Sequence, residues 1–443
     1  MGAICGLNFM LQLKKKKNNG NFMYELIKTL YPIYRSITGE GLRKSLKIIN
    51  EALNNELELK SIKSGTKVYD WEIPAEYNIK DAYIITPDGD KICDFKKHNL
   101  HLLGYSHAID KTISLKELQE HLYSEPKRRD IIPYAFSYYQ RRWGFCLSQN
   151  QRDSLKDGDY KVFIDSSFDE NGVLNYAQGY LPATISTKDE ILISTYICHP
   201  QMCNNELSGP AVFVEIYKWL KSLKYRKYNF RFVIAPETIG AIAYIFENFN
   251  DLKRHCKGGF VLSCLGDEGD YSVILPPDET AFSAKAALNV IKHFDNAKIY
   301  SFLDRGSDER QYNTPALNLG VATLCRTAFG AYKQYHCSDD DLNFISQKGL
   351  EGGLDFVKSC IMALQINEVF KPNFICEPCL GKYNLTPTLN VRSQPKNMLP
   401  RHFLAYCDGS RDVLDIANII GCKASELEDI IKICLENNLI TKG

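Results

Sequence analysis

The sequence contains no apolar segment of 18 residues, the length that a membrane-spanning helix requires. It also lacks a charge imbalance, because 54 Lys and Arg residues face 53 Asp and Glu residues. A net charge of +1 gives no electrostatic signature of binding to nucleic acid or to an anionic membrane. A secretion signal is missing too, since the short apolar start precedes the basic run Lys14–Lys17 instead of following it. We therefore expect a cytoplasmic globular protein without a membrane partner.

Cysteine is plentiful, but its spacing fits neither a disulfide framework nor a zinc ribbon. Many of the 15 cysteines lie inside apolar runs, where a free thiol packs as a small hydrophobic group. Without a secretion signal, reduced thiols are the expectation. Cys376 and Cys379 form a single CxxC with no second pair, so we do not expect a structural metal there.

A chain of 443 residues is too long for one small core and predicts two or three domains. Helical periodicity begins near Met23, which leaves either Met1 or Met23 as the start of the protein. The predicted division is a disordered leader at 1–22, a main core at 23–60 plus 170–374, an inserted β-rich domain at 61–169, and a C-terminal domain at 375–443.

Two of these regions have recognisable local patterns. The insert is rich in aromatic residues and in turn dipeptides such as Asp157-Gly158, which indicates short strands. The C-terminal region shows short helical patterns at Val413–Ile420 and Leu427–Glu436, followed by a possible strand, as in a winged helix-turn-helix. Its second helix is rich in acidic residues and has no basic cluster. We therefore expect a packing or interaction module and not a nucleic-acid reader.

The main core predicts an α/β fold with a mostly parallel central sheet flanked by helices. Near-continuous apolar runs alternate with helical patterns, which is typical of strands buried on both faces. The predicted strands are Ile191–Ile197, Phe230–Ala235, Gly259–Cys264, Lys298–Leu303 and Gly320–Cys325.

Charged or polar groups follow every one of these predicted strands. In such sheets ligands bind at the carboxyl ends of the strands, so five polar exits predict a shared site. The residues concerned are His199 and Glu206, then Glu237, then Asp267, then Arg305, Asp308 and Glu309, and finally Arg326, His336 and Asp339–Asp341.

Histidine and carboxylate side chains at separate strand ends suit a zinc ion with an open position that activates water. We predict His199 and His336 as ligands and Asp267 and Glu206 as the acidic ligands. Glu237 is the predicted general base that accepts the proton of the water. Two bland alternatives stay open, namely that Asp267 belongs to an exposed acidic loop and that each histidine is a packed or surface residue.

Long ordered motifs resemble the zinc aminopeptidase-like proteins of the M28 class. They are CHPQMCNNELSGP, APETIGAIAYI, GFVLSCLGD, FLDRGSDERQY and YHCSDDDL, with YPIYRSITGEGLR, SYYQRRWGFC and others outside the core. The resemblance extends from about Met23 and is strongest to a bacterial group with an inserted β domain, a C-terminal winged helix and an association with polysaccharide-biosynthesis loci. It implies zinc ligation by His199, Asp267 and His336, with Glu237 as the base. It also implies a substrate-side role for the segment that carries Asp308 and Glu309.

Two positions depart from the M28 pattern. The Asp that usually bridges two zinc ions falls on Asn205, and the second carboxylate of the usual Glu pair falls on Thr238. An amide brings no charge to offset two cations, so one zinc ion is at least as well supported as two. Glu206, one residue further along, is a candidate replacement for the bridging acid.

The combined expectation is a metallo-aminopeptidase-like hydrolase that cleaves a small peptide or amide, with an amide on a modified sugar left open. Self-association is left open as well. The predicted pocket residues are Arg305, Asp308, Glu309, Arg326, Trp143, Tyr138 and Tyr139. The alternatives are a non-catalytic binding or assembly protein with a degenerate metal site and, from the C-terminal pattern alone, a transcriptional regulator.

Overall fold

The computed structural model describes residues 19–385 and 398–443. The helices are α1 Asn19–Leu30, α2 Glu40–Ala52, α3 Leu115–Leu118, α4 Gln149–Asp153, α5 Ser208–Ser222, α6 Ile239–His255, α7 Phe282–Ile291, α8 Glu309–Tyr312, α9 Gln347–Ile366, α10 Leu399–Tyr406, α11 Val413–Ile420 and α12 Glu428–Glu436. The strands are β1 Glu58–Lys63, β2 Lys67–Val68, β3 Trp71–Glu72, β4 Glu76–Ile85, β5 Lys91–Ile92, β6 Ile109–Ser114, β7 Leu122–Tyr123, β8 Phe145–Cys146, β9 Asp159–Asp169, β10 Val173–Leu181, β11 Glu190–Tyr196, β12 Asn229–Ala235, β13 Cys256–Leu262, β14 Tyr271–Ile274, β15 Ala297–Tyr300, β16 Val321–Cys325, β17 Phe370–Pro372 and β18 Ile440–Lys442.

An eight-stranded sheet forms the centre of the molecule, in the order β1-β10-β12-β11-β13-β16-β14-β15. Four neighbouring strands, β12, β11, β13 and β16, run parallel. Every residue of β11 is buried. Its side chains alternate between the two faces, so that Ile191 and Ile193 pack with α5 and α9 while Leu192 packs with α6. The predicted α/β class with a mostly parallel sheet flanked by helices is confirmed.

The strand that was predicted at Lys298–Leu303 runs in an unexpected direction. β14, which the sequence reading missed, pairs antiparallel to β16, and β15 pairs parallel to β14. The carboxyl end of β15 therefore does not lie at the edge where the parallel strands end. The idea that five strand exits share one edge is thus wrong for this strand, although the chain beyond it returns to the site.

The amino-terminal boundary also differs from the prediction. α1 begins at Asn19, and Gly20 is buried with its N–H donating to Glu351 of α9. Residues 19–22 are therefore part of a packed helix and do not belong to a leader. The rest of the predicted leader, 1–18, lies outside the described residues.

The inserted region builds its own small sheet, in the order β5-β4-β9-β6. A separate apolar core lies beneath it and includes Trp143, Phe145 and Val162. The predicted boundary at residue 61 falls inside β1, which pairs along its length with β10 of the main sheet.

α11 has the bounds that the sequence indicated, α12 begins one residue later than predicted, and β18 pairs antiparallel to β17. Their apolar side chains join the same core as α7 and α9. Lys285 of α7 forms ion pairs with Asp412 and Asp415 at the start of α11. Across both described ranges, no helix combines the length and apolarity needed to cross a bilayer.

Candidate active site

The site is built around the loop that follows β11. The chain leaves the strand through Cys198 and His199 and then enters a short π-helical turn, Cys203–Leu207, which continues into α5. The Asp340 carboxylate accepts hydrogen bonds from the backbone N–H groups of Cys203, Asn204 and Asn205 at 3.2, 2.6 and 2.8 Å. Burial raises the pKa of Asp340 to about 7, although these three hydrogen bonds oppose the shift. A buried loop thus has its N–H groups satisfied from a distant part of the chain.

His199 is buried and lies between two carboxylates. Its Nδ1 is 2.7 Å from Oε2 of Glu206, and its Nε2 is 3.7 Å from Oε2 of Glu237. Burial alone would lower the pKa of His199, but interactions with Cys198 and Glu206 outweigh it, so the pKa lies well above its ordinary value. The imidazole therefore presents one nitrogen to a buried acid and the other to the predicted base.

Glu237 follows β12 and is held from two sides. Its Oε1 accepts a hydrogen bond from the Ser307 hydroxyl at 2.7 Å, and its backbone N–H donates to Sγ of Cys198 at 3.3 Å. The next residue, Thr238, has φ 66°, a rare conformation for a β-branched residue that is typical of strained functional turns. Burial raises the pKa of Glu237 above its ordinary range, while His199 lowers it.

His336 lies next to His199, with the two ring centroids 5.4 Å apart. Tyr134 of the insert packs on both rings, at 5.1 Å from His199 and 5.2 Å from His336. Its backbone N–H also donates to the carbonyl of His336 at 2.9 Å. Burial, together with the nearby His199, lowers the pKa of His336 to about 3, which favours a neutral imidazole. The insert therefore forms one wall of the site.

Asp267 is buried close to this loop, but both of its oxygens have protein donors. Oδ1 accepts from Gly269 N–H and from the Thr327 hydroxyl, and Oδ2 accepts from the Asn204 amide and from Thr327 N–H. A carboxylate has about four acceptor positions, so metal binding would require Asp267 to give up one of these bonds. Its ligand role stays a prediction.

The segment after β15 brings Asp308 to the site and Glu309 into the core. Asp308 accepts from the backbone N–H of Thr238 at 2.7 Å, and its other oxygen is buried without a partner. Glu309 is buried and accepts from Gly306 N–H, Ser307 N–H and the Thr323 hydroxyl. We interpret Glu309 as a residue that stabilises the loop carrying Ser307.

The structure does not group the other predicted pocket residues with the histidines. Arg326 is buried, stacks on Tyr271, and donates to the carbonyls of Gly269, Asp270 and Gly349. Trp143 stacks on His121 inside the insert. Arg305 is exposed and lies over Phe302. Tyr139 is exposed too, whereas Tyr138 hydrogen-bonds the hydroxyl of Tyr134 at 3.0 Å and so supports the wall of the site.

Side chains of the types that bind zinc surround His199. Within residues 19–385 and 398–443, the single cluster of three or more metal-binding side chains consists of Cys198, His199 and Glu206. One oxygen of Glu206 is buried without a hydrogen-bond partner. Imidazole, thiolate and carboxylate are all zinc ligands, and His336 adds a second imidazole whose ring centroid is 5.4 Å from that of His199, so the residues present fit the ion. The resemblance to M28 proteins places a second zinc-binding carboxylate at the position of Thr238. In this chain the Thr238 hydroxyl instead accepts a hydrogen bond from the Arg310 guanidinium.

The sequence of this chain matches two known protein families. Residues 24–367 match the sequence model of a family described as a domain of unknown function, DUF4910. The chain belongs to the DUF4910 family. Residues 368–442 match a winged helix-turn-helix family, HTH_47. A Clostridium acetobutylicum protein is 40% identical to this DUF4910 chain over 409 residues, which cover 91% of the chain and 92% of the relative. The provisional name of this relative is polysaccharide biosynthesis protein with aminopeptidase-like domain.

Solved structures give the same assignment of fold. A crystal structure from C. acetobutylicum, provisionally described as a peptidase, has a TM-score of 0.88 at 38% identity and covers 96% of the DUF4910 chain and 97% of its own. The zinc aminopeptidase BSAP from Bacillus subtilis has a TM-score of 0.58 at 14% identity, with 79% and 95% covered. An M28 peptidase precursor from Shewanella amazonensis has the same TM-score at 13% identity, with 80% and 95% covered. The predicted M28-like core with a C-terminal winged helix is confirmed.

Tyr134 and Ser307 belong to this site but were not predicted for it from the sequence, and neither was Arg35, whose Nε donates to the carbonyl of His199 at 3.0 Å. Ser307 lies in the quoted RGSDERQY motif, and Asp340 lies in an acidic run that was noted only as a strand exit. Arg35 and Tyr134 lie about 160 and 65 residues before His199, so proximity along the chain gave no signal.

Proposed function

We propose that this DUF4910 protein is a zinc-dependent hydrolase that cleaves a peptide or amide bond, with Glu237 as general base. The placement of Glu237 carries the proposal. Its carboxylate follows a central strand of an M28 fold, is held by Ser307, and lies 3.7 Å from Nε2 of a buried histidine. A general base must lie within reach of the water that it activates.

His199 would hold the zinc ion, with His336 adjacent. When bound, zinc supplies a Lewis acid that lowers the pKa of water and polarises a carbonyl. Glu237 accepts the proton of the attacking water and then donates it to the leaving amine. The raised pKa of Glu237 brings it closer to neutral pH, which suits both transfers. Tyr134 and Tyr138 shield this exchange from bulk water.

A single zinc ion is the form that we propose. The site offers no carboxylate at Asn205 or Thr238 to bridge or hold a second cation. The Arg310 guanidinium donates to Thr238, and its charge opposes a second metal ion there.

The test is Glu237→Gln, with Glu247→Gln on the exposed side of the helix that follows, α6, as the matched control. Both proteins and the wild type are purified with zinc, and metal content is measured by atomic emission. Turnover is assayed on aminoacyl anilides and, because the relative is named for polysaccharide biosynthesis, on N-acylated amino sugars. We expect Glu237→Gln to retain zinc and to lose about 10²- to 10⁴-fold in turnover. Activity that survives the substitution excludes Glu237 as the base.

A second candidate is a non-catalytic binding protein with an M28 fold. The saturated hydrogen bonds of Asp267 favour it, because they leave the predicted acidic ligand engaged within the protein. Zinc content below about 0.3 ions per chain after metal-replete purification, with no turnover on either substrate class, selects this candidate.

A further inference from the structure

Arg35 is a fully buried arginine that reaches the back of the site from the segment between α1 and α2. Its Nη1 donates to the carbonyls of Leu30 and Ile33 at 2.6 and 3.0 Å, and its Nε donates to the carbonyl of His199 at 3.0 Å. A buried guanidinium is costly unless a charge partner accompanies it. Three carbonyl contacts fix its position but do not supply that charge.

The charge partner is Glu206. Its Oε1 lies 3.9 Å from Nε of Arg35, and both side chains have no solvent exposure. Glu206 Oε1 and Arg35 Nη2 have no hydrogen-bond partner, so the interaction is ionic and leaves both groups buried beside each other. The attraction between the two charges offsets part of the cost of burying both groups.

The other oxygen of Glu206 faces the histidine. The distance of 2.7 Å between Oε2 and Nδ1 of His199 is that of a short hydrogen bond. A metal-binding histidine commonly donates one ring N–H to a carboxylate, and this contact sets the tautomer and the ring orientation. With Nδ1 as the donor to Glu206, Nε2 is the nitrogen that faces Glu237, 3.7 Å from its Oε2.

We propose that Arg35 and Glu206 are positioning residues that hold His199 with Nε2 toward the metal, and that Glu206 is not itself a zinc ligand. This inference rests on the proposed function and deepens it. The competing arrangement places the ion on the other side of the ring, bound by Nδ1, Cys198 and Glu206, whose donor atoms all lie within 4.8 Å of one another.

Cobalt(II) distinguishes the two arrangements, because a cysteine ligand gives a sulfur-to-cobalt charge-transfer band in the near ultraviolet. We expect wild-type protein loaded with cobalt to lack this band and Cys198→Ser to have an unchanged spectrum. We expect Glu206→Gln to keep one ion per chain and the same visible spectrum, with a Kd for cobalt about 10- to 100-fold weaker. Glu206→Asp, which retains the charge, is expected to recover part of the affinity.

Arg35 is tested separately by Arg35→Lys and Arg35→Met, with Arg43→Lys on α2 as the control. The lysine keeps the charge next to Glu206 and is expected to lose less cobalt affinity than the methionine variant, while Arg43→Lys leaves it unchanged. Circular dichroism and the thermal midpoint establish that each variant is folded. If Arg35→Met does not fold, the comparison of Arg35→Lys with Arg43→Lys decides.

Three results overturn the inference. They are a charge-transfer band that Cys198→Ser removes, an altered visible spectrum or a lost ion in Glu206→Gln, and equal cobalt affinity of wild type and Arg35→Met. A wild type that binds neither zinc nor cobalt overturns the proposed function and this inference together. The expected spectra in a protein that hydrolyses none of the substrates overturn the proposed function alone.

Discussion

The ion pair between Arg43 and Glu76 makes the stability of this protein depend on pH in a way that can be measured. Glu76 accepts hydrogen bonds from Arg43 at 2.7 Å, from Asn78 at 3.1 Å and from the backbone N–H of Val173 at 3.0 Å. These contacts join α2, β4 and β10. The hydrogen bond from Arg43 is the main cause that lowers the pKa of Glu76 to about 2, and burial opposes it.

The size of the effect follows from the two pKa values. A folded-state pKa of about 2 against an ordinary value of 4.5 corresponds to at most about 3.4 kcal/mol of stability. The Arg43 side chain is 32% exposed, so water screens the pair, and we expect roughly half of this value, about 1.5 kcal/mol. Because the folded-state pKa is the lower one, this stability is fully present above about pH 4.5 and is lost as the pH falls towards 2.

The assay is urea unfolding of wild type and Glu76→Gln at pH 7 and again near pH 3. We expect the variant to be less stable by about 1.5 kcal/mol at pH 7, and the difference to fall below half of that near pH 3. Asp88→Asn is the control, because Asp88 and its partner Lys156 are both exposed and their pair contributes little. A difference that stays constant between the two pH values refutes the electrostatic reasoning and assigns the effect to packing.

Three further predictions concern other parts of the molecule. Gly349→Ala should lower the free energy of unfolding in urea by about 2 kcal/mol, because the new Cβ would lie 2.1 Å from the carbonyl oxygen of Gly266. Ser359→Ala, at a half-buried position of the same helix, should cost little. Tyr134→Phe should leave zinc content and turnover nearly unchanged, because the ring that packs on His199 and His336 is kept. Tyr134→Ala should lower kcat/KM by about 10²-fold, because the two histidines lose that packing and are held less firmly, and equal effects of the two variants would contradict this role. The acidic helix α12 predicts no binding to duplex DNA by fluorescence anisotropy at low salt, and a salt-dependent complex would contradict it.

Much of the fold could be predicted because its elements are local patterns. β11 corresponds to a short, near-continuous apolar run rich in β-branched residues, which favours a buried strand, and α11 has the bounds that its periodicity indicated. β14 could not be predicted in the same way. It has only four residues, and its reversed direction depends on pairing with β16 and not on its own sequence.

The residues of the candidate site also fall into those that a local sequence pattern predicts and those that it does not. His199 and Glu237 were predicted because each directly follows an apolar strand, and the structure places them 3.7 Å apart. Arg35 and Tyr134 were missed because their contacts with His199 come from the N-terminal segment and the insert, at separations along the chain that no local pattern encodes. Glu206 was predicted as a ligand from its place in the motif. Only the orientation of the His199 ring points to a supporting role instead.

The contact between Asp340 and the loop after β11 has a consequence for synthesis on the ribosome. The backbone N–H groups of this loop find their acceptor 137 residues downstream of Cys203. While the chain is emerging, β11 and β12 can already pair, but the loop lacks the carboxylate that satisfies its N–H groups. We therefore expect nascent chains that end before residue 340 to be unable to hold a metal ion. Binding of a metal ion by a nascent chain would then indicate that its core is complete.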